Sequence, residues 1–174
     1  MASPFEFDPE KALAVVAYLA RETGETMYPI LKMVYVADRT HLERYGRPIT
    51  GDEFIAMKQG ACPSKIYDTM KVLRGEPNHN YLPRSEQFLA VDPETHDIEL
   101  LAMPSLDVLS ESERECLDET LSILKRYGSR CIREMAHDPA WKGTTENSRM
   151  GFTAIAKSLR DGEALAEYLE SRFD

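Results

Sequence analysis

Between Lys11 and Arg21 the chain reads "ALAVVAYLA", nine residues without a charge. The run opens after Asp8-Pro9, an N-cap residue followed by proline at the first helical position. It closes at Gly24, a natural C-terminal stop. A helix that is apolar on nearly every side cannot lie on a surface, because it needs neighbours all round. The remaining chain must therefore wrap it, and 174 residues are enough for one domain with a substantial core.

The wrapping elements can be read in order. A second helix starts around Thr26 to Pro29 and runs to Tyr45, where Gly46 stops it. "GRPITGDEF" is a turn-rich connector, and "EFIAMK" is too short to type as helix or strand. "GACPSKIYDTMKVLRG" reads as a loop, then a helix opened by Pro63 and closed by Gly75. "QFLAV" and "IELLA", joined by "DPETHD", read as a hairpin. Ser110 and Glu113 form a capping box before a long helix with Leu117, Leu121 and Leu124 inward and Gly128 as stop. Ser129 is placed as the cap of a short helix through Ala136, and "HDPAWKG" as a turn. A last helical region divides into "GFTAIAKSL" and "GEALAEYLESRF". No repeat, low-complexity tract or linker interrupts the chain. The expectation is a mainly α, single compact helical domain over residues 1–174 with a small central β-hairpin.

Charge and cysteines narrow the function classes. The net charge is −9 and unevenly placed. Residues 11–84 hold 11 basic against 8 acidic side chains, whereas residues 85–174 hold 10 against 19. An acidic surface repels phosphate backbones and attracts basic partners, so nucleic acid is not expected as the main ligand. No apolar run approaches the ~20 residues that cross a bilayer, and the acidic "MASPFEFDPE" lacks the basic start of a signal peptide. A cytoplasmic location and no membrane partner are expected. Cys62, Cys116 and Cys131 form an odd, scattered set, which suits a reducing compartment. The four histidines are far apart and lack zinc-site spacing. No cofactor is implied.

The second helix carries the most informative face. At 100° per residue Met27, Ile30, Leu31, Val34, Asp38, His41 and Tyr45 share one stripe, while Lys32, Arg39 and Glu43 point toward expected solvent. Asp38 and His41 are three residues apart and can touch. They can act as a structural pin, bonded to each other or to backbone after Gly46, since buried polar groups are satisfied. A partner contact, a catalytic role or a metal-binding role would use the same residues. Cys62, just before a helix start, could form a nucleophilic dyad with His41, or could simply be a small packing residue. Trp141, the single tryptophan, is either an interface anchor or a contact closing the last helices.

The stretch "LKMVYVADRTHLERYGRPITGDEFIAMKQGACPSKIYDTMK" resembles the Panacea domain of SocA-like antitoxins. The family pattern, K-L-x-Y-x-A-D-R-x-H-L-x-x-Y-G-R-P-I-T-G-D and then G-P-V-P, is matched at Lys32, Tyr35, Asp38, Arg39, His41, Tyr45, Gly46, Arg47, Thr50, Gly51, Asp52, Gly60, Pro63 and others between them. Later "LSESERECLD" and "HDPAWKG" resemble the family's C-terminal helix start and its H-x-x-P-A-W element. Cys62 stands where the family has valine, which favours packing over the dyad.

The resemblance implies a non-enzymatic antitoxin of a bacterial or phage-associated toxin–antitoxin system. It would neutralise a toxin encoded in the adjacent gene, often a translation-blocking one, by direct binding. Asp38, His41, Tyr45 and Gly46 are expected as structural pins. Arg39, Arg44, Arg47, Asp52 and Trp141 are the candidate toxin-binding residues. An adaptor handing a toxin to an ATP-dependent protease, a winged-helix-like DNA-binding regulator and a Cys62–His41 hydrolase are the alternatives.

Overall fold

In the computed structural model, which describes residues 3–173, α1 (Pro9–Thr23) and α2 (Met27–Tyr45) form the centre. The Asp8 carboxylate accepts from Lys11 N at 3.0 Å and caps α1, with Pro9 next to it. Gly46 ends α2 at φ +74°, a left-handed conformation that glycine adopts without a Cβ penalty. From Ile30 to Asp38 every residue of α2 is buried. The helix packs against α1, against α4 (Glu111–Tyr127) and α5 (Ser129–Met135), and against strand β2 (Gly60–Pro63).

Two apolar clusters result, and α2 serves both. One joins α1, the Met27–Ile30–Leu31–Val34 stripe, α3 (Ser64–Leu73), the hairpin strands β3 (Leu89–Val91) and β4 (Ile98–Leu100), and α4. The other joins Tyr35 and Leu42 of α2 to β1 (Phe54–Met57), α6 (Pro139–Lys142), α7 (Phe152–Lys157) and α8 (Glu163–Phe173). A fully buried Leu or Ile contributes about 1.5–3 kcal/mol, so a helix with two apolar sides is worth burying on both. The architecture is mainly α with small antiparallel sheets.

The β3–β4 hairpin pairs Leu89 with Leu100 and Val91 with Ile98, as its alternation implies. The capping box of α4 is also formed: Ser110 Oγ accepts from Glu113 N and Glu113 accepts from Ser110 N.

Other elements differ from expectation. "GACP" is a strand, and β1 pairs with it and also with β5 (Arg149–Met150), giving the sheet order β2-β1-β5. All four residues of β2 are buried, so no polar alternation marks it. Its other edge is covered where Ala61 N donates to Ala136 O. Pro63 therefore ends a strand, and α3 begins at Ser64. Ser129 is the first residue of α5 and makes no cap; Gly128 precedes it. "DPAWK" is a short helix, with the Asp138 carboxylate accepting from Trp141 N.

Candidate interaction site

The C-terminal half of α2 and the connector 46–53 are held by five buried polar residues, Asp38, His41, Thr50, Asp52 and Glu113. The Asp38 carboxylate accepts from Ile49 N and Thr50 N, each at 3.0 Å, and from the Thr50 hydroxyl at 2.6 Å. Burial pushes its pKa up to about 7 against the pull of these donors. Asp38 and His41 thus use their polar atoms on the connector and α4. His41 Nδ1 donates to Arg47 O at 2.7 Å, which leaves Nε2 to accept from Ser112 Oγ at 3.0 Å. Burial lowers the imidazole pKa.

Thr50 links the first carboxylate to the next. Its hydroxyl accepts from Asp52 N at 3.2 Å, and its carbonyl accepts from Asp8 N at 2.9 Å. Gly51, at φ +69°, lies so close to Glu6 that a Cβ would collide with that backbone. Asp52, expected among the toxin-binding residues, is fully buried. Its carboxylate accepts from Glu53 N (2.8 Å), Lys65 N (3.1 Å) and Ile66 N (2.9 Å), so it satisfies the start of α3, where Pro63 offers no side-chain cap. Burial raises its pKa to about 6 against those donors.

Glu113 receives Lys11 Nζ at 2.8 Å and Arg47 Nη1 at 2.6 Å. Burial alone would raise its pKa, but these two cations and Ser110 N hold it down at about 2. The pair of contacts ties α1 and the connector to α4.

A second knot lies where α2 meets the end of α5. Tyr35 donates to Asp138 Oδ2 at 2.5 Å, and Arg39 Nη1 donates to the same oxygen at 3.0 Å and to Met135 O at 3.2 Å. Burial and then Asp138 raise the Tyr35 pKa well above the ordinary phenol value. Arg39 is therefore partly covered, with its guanidinium engaged inside the chain. Lys32 is buried, correcting the expectation that it faces solvent. Its ammonium donates to Gly60 O at 2.8 Å and Ala61 O at 3.0 Å, and burial lowers its pKa. The two carbonyls belong to β2, so the unexpected strand is what draws the lysine inward.

The remaining candidates are more open. Tyr45 is 48% exposed and lies off the buried stripe, with its ring tilted on His41 at 4.7 Å and its hydroxyl 3.3 Å from Glu115. Arg44 pairs with Glu119 at 2.5 Å on the surface. Arg47 keeps a side chain 44% exposed beside Glu113. Trp141 is half-buried against the second cluster; its indole N–H donates to Met57 O at 2.8 Å and its ring meets His137 edge-on.

The geometry offers no reactive centre at these residues. Cys62 is buried, with its thiol pushed up to about 12 by burial, and His41 has both ring nitrogens bonded elsewhere. A thiol held neutral is a poor nucleophile. Among the described residues no three His, Cys, Asp or Glu side chains gather as metal ligands, and no helix is long and apolar enough to cross a membrane. Reading the sequence did not single out Tyr35, Ser112 or Asp138 as polar partners. Tyr35 is a lone hydroxyl in an apolar run, Ser112 lies in the polar first turn of α4 and Asp138 is an N-cap before proline; their pairing shows only once the facing element is known.

The family model described as antitoxin SocA-like, Panacea domain, matches residues 30–142. No curated protein and no solved structure matches the chain.

Proposed function

This chain belongs to the SocA-like antitoxin family defined by the Panacea domain, and from that premise we propose that it neutralises a cognate toxin by direct protein–protein binding. The span of the match carries the reading. It takes in α2, the connector, the Asp138 knot and Trp141, whose polar groups are engaged with one another and with backbone. That arrangement suits a shaped surface better than catalysis, so we read the protein as non-enzymatic.

Asp38, His41 and Gly46 are pins of the connector in this reading, with Tyr45 stacked over them, and buried Asp52 joins the pins. Arg44 and Arg47 offer the exposed cations for a partner, flanked by Tyr45; Arg39 and Trp141, at the Asp138 knot, are the remaining candidates. The whole chain acts as one unit, because Phe5 packs on Phe152 (ring centroids 4.9 Å), joining segments on either side of the matched span. A translation-blocking toxin encoded in the adjacent gene, met in the cytoplasm, is the partner we assign.

Co-expression with the product of the adjacent gene tests this. The expected result is a complex that co-elutes and restores growth. Separate elution of the two proteins with no rescue overturns the reading.

A further inference from the structure

We propose that the cleft between α5 and α6 binds a compact phosphate group, through Arg133, His137 and Lys142. The cleft has a volume of about 450 Å³ and is lined by Arg130, Arg133, Glu134, His137 and Lys142. Its one carboxylate, Glu134, is taken by Arg130 at 3.2 Å. Arg133 and Lys142 are exposed and have no ion-pair partner among the described residues. The nearby Asp138 is occupied by Arg39 and Tyr35. Uncompensated positive charge therefore collects at one concave place on a chain whose net charge is −9.

His137 gives the cleft a fixed member. Its Nδ1 donates to Arg133 O at 2.6 Å, and its ring is held edge-on to Trp141 at 4.3 Å. Its Nε2 has no partner among the described residues. A guanidinium fork and an ammonium donate to the several oxygens of a phosphate, and the free Nε2, which carries a lone pair because Nδ1 holds the proton, accepts from the P–OH of a hydrogen phosphate. The surrounding acidity selects a small ligand. A long polyanion or an acidic protein face would meet the chain's net negative charge, whereas a single phosphate is screened from charges beyond about 8 Å at physiological salt. The inference does not rest on toxin binding.

Titration of the full-length ¹⁵N-labelled chain with inorganic phosphate and with adenosine monophosphate, against chloride at matched ionic strength, tests it. Saturable shifts of the amides of 130–142 are expected with at least one of the two. Equal affinity for both assigns a free phosphate, and tighter binding of the monophosphate assigns a phosphate ester. Arg133→Gln and Lys142→Gln, both at exposed positions, should each weaken binding about tenfold while the rest of the spectrum keeps its dispersion. No saturable shift with either probe, unchanged affinity in both variants, or tighter binding of a poly-glutamate peptide or an oligonucleotide than of either probe overturns the proposal.

Discussion

Asp38 is a buried acid whose donors have no other acceptor among the described residues. Removing it in Asp38→Ala strands two backbone N–H groups and a hydroxyl, each costing about 1–3 kcal/mol when buried and unpaired. A loss of about 3 kcal/mol in urea unfolding is expected, with a smaller loss for Asp38→Asn, which keeps an acceptor oxygen. The pH dependence has a definite sign. Because burial raises the folded pKa from 3.8 to about 7, the folded state binds the proton more tightly than the unfolded chain. This group's contribution to stability is full below pH 4 and is lost as pH rises toward 7. The penalty of Asp38→Asn relative to wild type should therefore be largest near pH 4 and shrink by pH 7. A penalty that grows over that range would show that the donors, rather than burial, govern the carboxylate. His41 runs the other way: its depressed pKa adds stability as pH rises through its titration.

At the level of elements, Asp52 acts at a distance in sequence. It satisfies Lys65 N and Ile66 N from the other side of the β1–β2 hairpin. Asp52→Ala should cost about 1–2 kcal/mol, the usual range for a lost helix cap, and speed hydrogen exchange at residues 65–66 first. Unaltered exchange there would remove the capping role. The same residue shows where sequence reading stopped. Helices α1, α2 and α4 were legible because caps, stops and 3.6-residue periodicity are local. Strand β5 was not, because its pairing with β1 is remote, and β2 was not, because it is buried throughout and lacks polar alternation. In a turn-rich connector a carboxylate reads as exposed, and on a helix a lysine reads as solvated. Asp52 and Lys32 went inward because α3 and β2 brought backbone donors and acceptors to them.

Across the whole molecule, α2 is a wall common to both apolar clusters. Leu31→Ala, in the first cluster, should cost about 2–5 kcal/mol. It should also shift the unfolding midpoint seen by the single tryptophan, Trp141, which lies against the second. Circular dichroism and tryptophan fluorescence should report one coincident transition; two separated midpoints would divide the chain into independent units. Arg44→Ala, on the surface, should leave stability within about 0.5 kcal/mol of wild type and weaken neutralisation of the toxin. Full neutralisation would take Arg44 out of the contact face. The common wall also bears on how long the protein survives in a cell. A partner gripping one side stabilises the folded chain by about 2.7 kcal/mol at a concentration one hundred times its Kd. If the two clusters unfold in one coincident transition, that protection reaches every peptide bond whose cleavage requires global unfolding. Occupancy at one face would then be readable as slower degradation of the whole chain.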